Sequence, residues 1–236
     1  MIHPKKLRVT VIGNEPVARD INFIRFTLPP GETLEFEAGQ YATFFVTREE
    51  HVRTKSYSFT SVPENKDFFE LLVKRVPEGF TSNLLCDAKM GDTFEVLMPL
   101  GQFTLKDPGS RPVMFIATGT GLAPFFPMIH ELRRKHSSNR TYLVVGCRFT
   151  EDMIMPEEFA ALEKDWPAFH YYPVLSRPED GWTGEQGHVQ DVIQRRFPDL
   201  SSFDIYVCGV PEMVNQAKEL CARLKAPPQH IYVERY

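Results

Sequence analysis

The chain has little cysteine, no long apolar run and no block of like charge. Its four cysteines, Cys86, Cys147, Cys208 and Cys221, lie far apart. None forms a C-x-x-C pair or a zinc-ligand spacing. They also lack the clustered spacing of a plant-type iron–sulfur centre, so no bound metal is expected. Nowhere do about 18 apolar residues run uninterrupted, the length a spanning helix needs. The opening Met1-Ile-His-Pro-Lys-Lys6 lacks the apolar core of an export signal. These absences predict a cytoplasmic protein with no membrane span. A net charge of −4, from 27 basic and 31 acidic residues, argues against a nucleic-acid binder held by a basic field.

At 236 residues the chain is long for one domain and comfortable for two. Up to residue 106 it reads as antiparallel β structure. Runs of strand composition at 7–12, 21–28, 42–46, 56–60, 68–73 and 93–98 are separated by turns rich in Gly, Pro, Asn and Glu. Six such strands predict a small closed barrel, since closure removes exposed edges. One short helix, from 81 or 82 to about 88, interrupts them. The stretch 106–112, Lys-Asp-Pro-Gly-Ser-Arg-Pro, reads as a linker.

From 111 onwards the period changes. Strands at 113–117, 140–146, 170–175 and 204–208 alternate with helical spacing near 124–135, 156–164, 188–196 and 211–224, and a last strand covers 231–233. This alternation predicts an α/β domain over 111–236, a parallel sheet with helices on both faces and ligands outside the C-terminal strand ends. Its first unit organises the chain. An apolar strand from Val113 meets Thr118-Gly119-Thr120-Gly121, and Leu122-Ala123-Pro124 opens a helix. Two glycines allow close backbone approach, and a helix start favours an anion such as a pyrophosphate.

The first half carries Lys55-Ser56-Tyr57-Ser58, then Leu72-Val73-Lys74-Arg75, then Gly79-Phe80-Thr81-Ser82 at the helix start. A cation, an aromatic ring and a hydroxyl on one strand suit a phosphate, a ring face and a ring-edge nitrogen, and the helix start suits a second phosphate. Taken singly, each is equally an edge lysine, a barrel aromatic or an N-cap serine.

Together and in this order, these motifs resemble the ferredoxin-NADP reductase superfamily, which pairs a flavin-binding barrel with a nicotinamide-nucleotide domain. The family's Arg-x-Tyr-Ser signature stands here as Lys55 to Ser58, and its Gly-x-x-Ser turn as Gly79 to Ser82. Its Gly-Thr-Gly-Ile-Ala-Pro turn is Gly119 to Pro124. Its Gly-x-Arg is Gly146-Cys147-Arg148, its Cys-Gly-x-Pro-x-Met is Cys208 to Met213, and the plant-type ending Val-Glu-x-Tyr is Val233 to Tyr236. Lysine at 55 keeps the charge but loses the bidentate fork of arginine, and Arg53 shares its side of the pleat.

The resemblance implies a flavin held by Lys55, Ser56, Tyr57, Ser58, the segment Leu72, Val73 and Lys74, and Gly79, Phe80, Thr81 and Ser82. Tyr57 would pack on one ring face, Ser58 would lie near N5 and Tyr236 would cover the other face. The second phosphate cradle favours FAD over FMN. For NADPH or NADH it implies Thr118, Gly119, Thr120, Gly121, Pro124, Arg148, Ser176, Arg177, Cys208, Gly209, Pro211 and Met213. Ser58, Cys208, Glu234 and Tyr236 would be the groups nearest the hydride transfer.

Ser176-Arg177 resembles the pair that meets the 2′-phosphate of NADPH, whereas the acidic stretch 178–188 is more like NADH-using oxygenase reductases. The reading taken is an NADPH-dependent reductase serving a ferredoxin or flavodoxin-like carrier, with Lys5, Lys6, Arg8, Lys74 and Arg75 as docking candidates. The alternatives are an NADH-dependent reductase component of an oxygenase, or a flavin reductase, and a non-catalytic dinucleotide-binding redox module.

Overall fold

The computed structural model describes residues 3–48, 51–136 and 138–236. The chain divides into two compact units, Met1–Leu105 with Ala123–His130, and Lys106–Leu122 with Glu131–Tyr236. The division thus groups a short piece of the Gly-Thr-Gly-linked helix with the first unit, where the linker alone predicts a single cut near 106–111.

In the first unit the strands are β1 (Lys5–Ala18), β2 (Ile21–Thr27), β3 (Tyr41–Arg48), β4 (His51–Ser58) and β5 (Phe68–Lys74). They are followed by the helix α1 (Phe80–Asp87) and by β6 (Thr93–Leu100). The order across the antiparallel sheet is β4-β3-β6-β1-β2-β5. Its two edges meet at one bridge, Phe59 to Leu71, reinforced by Thr60 N–H to the Glu70 carbonyl at 2.9 Å. Strand alternation fills the interior: Phe94, Val96 and Met98 of β6 are buried while Thr93 and Glu95 are exposed. Phe26 centres an aromatic cluster, 5.1 Å from Phe69 and 5.4 Å from Phe44 between ring centroids.

Two strands depart from the sequence expectation. β1 continues through Gly13-Asn14-Glu15-Pro16, which reads locally as a turn. Register shifts at Val11/Gly13 and Pro16/Ala18 let the strand bend instead of ending. β4 begins at His51 rather than 56. Its first six residues are all exposed, so no apolar pattern marks them, and the ladder to β3 supplies their order.

The second unit is built from β7 (Val113–Thr118), the C-terminal part of α2 (Phe125–Lys135), β8 (Thr141–Cys147), α3 (Pro156–Asp165), β9 (Phe169–Leu175), β10 (Glu185–Gln186), α4 (Val189–Arg196), β11 (Asp204–Gly209), α5 (Pro211–Arg223) and β12 (Ile231–Arg235). All strands run parallel in the order β10-β9-β8-β7-β11-β12. β10 has only two residues and no sequence signature. α4 and α5 bury Val192, Ile193, Val214 and Leu220 against Ile116, Val144 and Val207. On the opposite face, Phe159 of α3 lies 5.2 Å from the Tyr171 ring.

β7 is flanked by β8 on one side and β11 on the other, so the chain reverses its direction of winding there. Such a switch point opens a crevice at the carboxyl ends of the two strands. At the other end of β11, Asp204 is 3% exposed. It accepts from Arg111 Nε at 3.0 Å and sits 2.6 Å from His230 Nδ1. A buried carboxylate needs such partners, and they fix the first rung of the β11–β12 ladder.

Candidate functional site

In the barrel unit the motifs gather where closure is incomplete. β4 and β5 are the two edges of the sheet, bridged among the described residues at Phe59 and Leu71. Lys55 and Tyr57 pair with Phe44 and Ala42 and therefore face the barrel side of β4. Tyr57 packs on the core, 5.8 Å from Phe44 and edge-on, while Lys55 is exposed and makes no ion pair among the described residues. Ser56 faces the other way and its hydroxyl bonds Thr43 Oγ1 at 2.9 Å. Ser58 is half-buried at the strand end.

Leu72 and Val73 are buried, so they too offer main chain, and the exposed Lys74 offers a charge. α1 follows, with Gly79 at its N-cap and no side-chain cap. A Cβ at Gly79 would lie 2.5 Å from Ser82 Oγ and 3.0 Å from the Val76 carbonyl, so the turn closes only around glycine. Thr81 and Ser82 are buried in the first helical turn, and Phe80 packs against the barrel core. Behind them Asn14 Nδ2 reaches the carbonyls of Leu85, Cys86 and Ala88 at 3.1, 3.2 and 2.8 Å, capping the far end of the helix.

Three buried polar atoms of this unit lack a hydrogen-bond partner among the described residues, the Tyr57 hydroxyl, Thr60 Oγ1 and Asn83 Oδ1. Orphaned buried groups are costly and call for a partner. Unpaired lysines, an uncapped helix start and waiting polar atoms suit a ligand bearing phosphates and hydroxyls, and FAD fits that description. Burial, then the neighbouring Cys86, pushes the Tyr57 phenol well above its usual range, so it stays a neutral donor.

In the second unit the switch point brings its predicted residues together. A Cβ at Gly121 would stand 2.3 Å from the Cys208 carbonyl, and one at Gly209 would stand 2.7 Å from Thr118 Oγ1 and 2.6 Å from Met213 Cε. Gly119 has φ +53°. Thr118 Oγ1 is buried without a partner among the described residues, again inviting a ligand. Pro211 opens α5, whose N-terminus carries no side-chain cap. Pro124, which falls in the piece grouped with the first unit, is buried just before α2.

Tyr236 is pinned to this turn: its hydroxyl accepts from Gly121 N–H at 3.1 Å and donates to the Thr118 carbonyl at 3.0 Å. Burial raises its pKa, partly offset by hydrogen bonds from Thr120 and Gly121. Cys208 is 2% exposed and in register with Glu234. Burial first and Glu234 second push its thiol well up, which makes it a neutral donor rather than a thiolate.

Further along the same strand ends, Ser176 N–H and Oγ meet the Cys147 carbonyl at 3.0 and 3.4 Å, and Arg177 N–H donates to the Arg148 carbonyl at 2.9 Å. Both arginines are exposed. Neither guanidinium has an ion pair or hydrogen bond among the described residues. Two arginines on neighbouring strand ends, unpaired among the described residues and close in the chain to a serine hydroxyl, have the chemistry that suits a dianion.

Sequence reasoning missed Asn14, Thr150 and the Arg111–Asp204–His230 group, and met Glu179 only as part of the acidic stretch 178–188. The one available signal was a lone acid, Asp204, heading an apolar strand. The proposed docking cations are mostly occupied: Lys5 pairs with Glu32 at 2.7 Å, Lys6 and Arg8 with Glu95 at 3.0 and 3.7 Å, and Arg75 with Asp87 at 2.6 Å. No helix is long and apolar enough to cross a membrane among the described residues.

Comparison with known proteins agrees with this division of labour. Residues 8–105 match the oxidoreductase FAD-binding domain and residues 115–219 the oxidoreductase NAD-binding domain. Ferredoxin--NADP reductase B of Sorangium cellulosum is 30% identical over 244 residues, covering 100% of both chains. Terephthalate 1,2-dioxygenase reductase component 1 of Comamonas sp. is 28% identical over 98% of this chain and 68% of its own length. The Amycolatopsis cytochrome P450 reductase superposes with a TM-score of 0.92 at 29% identity, over 100% of this chain and 71% of that one. With both halves matched and one relative aligned from end to end, the chain belongs to the ferredoxin-NADP reductase family of flavin-dependent NAD(P)H oxidoreductases.

Proposed function

We propose that the protein oxidises NADPH and delivers the electrons to a small one-electron carrier of the ferredoxin or flavodoxin kind. The observation that carries the choice of nucleotide is the pair of unpaired guanidiniums of Arg148 and Arg177 beside Ser176, a match for a 2′-phosphate. The carrier is inferred from the Sorangium relative, named for ferredoxin and matched over its full length.

Bound FAD supplies the hydride acceptor, N5 of its ring, and can release electrons one at a time. Lys55 and the first turn of α1 hold its phosphates, Tyr57 supports one ring face, and Ser58 offers a hydroxyl at the ring edge. Thr118 and the close-packed glycines at 119, 121 and 209 receive the nucleotide's phosphates and ribose. The neutral Cys208 thiol and Glu234 set the nicotinamide's position and its proton balance. Tyr236 holds the Gly121 N–H and the Thr118 carbonyl, so nucleotide entry requires this phenol to give way.

A second reading, an NADH-dependent reductase component of an oxygenase, draws on the Comamonas relative and on Glu179 beside the arginine pair. Steady-state reduction of a [2Fe–2S] ferredoxin and of a flavodoxin, each with NADPH and NADH, tests the choice. The proposal expects NADPH to drive at least one carrier far better than NADH. Preference for NADH, with neither carrier reduced, would transfer the assignment to the second reading.

A further inference from the structure

Glu179 lies two residues beyond Arg177, and Thr150 lies two residues beyond Arg148. The main-chain bond from Arg177 to Arg148, 2.9 Å, therefore continues one step outward as a side-chain bond. The Thr150 hydroxyl donates to Glu179 Oε2 at 2.6 Å. The turn that carries the glutamate is closed by Trp182 N–H on the Glu179 carbonyl at 3.2 Å. Of the other acids on these two turns, Asp152 is engaged by the Phe149 N–H at 3.1 Å, while Glu151 and Asp180 are exposed.

The charges explain why such a bond matters. A carboxylate two residues from one guanidinium and laterally adjacent to another is their natural ion-pair partner, yet both arginines stand unpaired among the described residues while the carboxylate is held by a neutral hydroxyl. An acid paired with these arginines would cancel the charge a phosphate needs, and an acid at this strand end is the group that otherwise accepts from a ribose 2′-hydroxyl.

We infer that the Thr150–Glu179 hydrogen bond is a specificity latch: it parks the carboxylate away from Arg148 and Arg177 and so keeps the nucleotide site selective for a 2′-phosphate. The inference rests on the NADPH reading above and names the residues that enforce it. Without the Thr150 hydroxyl, Glu179 swings onto the arginines, competes with the phosphate and offers itself to an unphosphorylated ribose.

Calorimetric binding of 2′-phospho-AMP and of AMP to the holoprotein reads the latch without turnover. Thr150→Val should weaken 2′-phospho-AMP about fivefold, the upper range for one exposed ion pair, with AMP unchanged or tighter. Glu179→Gln should bind 2′-phospho-AMP at least as tightly as the parent. The double variant should match Glu179→Gln, because the valine has no carboxylate left to release; a merely structural role for Thr150 would leave the double variant as weak as the single. An unaffected Thr150→Val, or a double variant that is not rescued, overturns the latch while leaving the nucleotide preference intact. A parent protein that binds both ligands equally overturns the NADPH reading itself, and the latch with it.

Discussion

At the scale of single residues, chemistry was legible wherever a side-chain type is nearly irreplaceable. The glycines at 79 and 121 could be read because a turn before a helix calls for them, and in the structure a Cβ at either meets a neighbour within 2.5 Å. Lys55 was legible as a cation on a strand, and that it makes no ion pair among the described residues is the new information. If it holds a flavin phosphate, Lys55→Ala should weaken FAD binding about tenfold or more, the scale of a hydrogen bond to a charged group, while Lys55→Arg retains it. Fluorescence titration of the apoprotein with FAD measures both. Asn14 and Thr150 escaped notice because a lone amide or hydroxyl in a polar stretch carries no pattern. Only the fold brings their partners within reach.

At the scale of elements, strand and helix identities followed from hydrophobic period, and their ends did not. β4 acquires its first residues from the β3 ladder rather than from burial. β1 runs through a glycine and a proline by bulging. The most consequential unread feature is Asn14, placed by that extension of β1. Its amide caps three carbonyls at the end of α1, and Asn22 Nδ2 holds its own oxygen at 2.8 Å. Asn14→Ala leaves those carbonyls and Asn22 unserved. A loss of about 1–3 kcal/mol is expected, read by urea unfolding of the apoprotein. Because α1 presents the proposed phosphate turn, FAD retention should fall with it. An unchanged unfolding midpoint would show that water replaces the amide at no cost.

At the scale of the whole molecule, the alternation of strands and helices foretold a parallel sheet, but not the order that sets the reversal between β7 and β11. That order places Thr118 and Cys208 on neighbouring strand ends. Burial has a global consequence as well. It raises the pKa of Cys86 and Cys208 above 9.0, that of Cys221 to about 12, and those of Tyr57, Tyr171 and Tyr206 above 10.0. The folded chain thus keeps protons that the unfolded chain releases near pH 9 to 10. The stabilising contribution is complete below that range and declines as pH rises through it toward the folded values. The thermal midpoint should be level with respect to these groups between pH 7 and 8.5 and fall increasingly above 9. A midpoint held constant to pH 10.5 would contradict this.

The central claim is that this chain is a flavin-dependent reductase whose nucleotide site is built for NADPH. Anaerobic mixing of the FAD-loaded protein with NADPH or NADH, followed at the flavin absorbance band, tests it most directly. The account predicts rapid bleaching by NADPH and much slower bleaching by NADH at equal concentration. Bleaching by NADH alone would contradict the assignment of Arg148 and Arg177 to the 2′-phosphate, and a bound flavin that neither nucleotide reduces would contradict the mechanism as a whole.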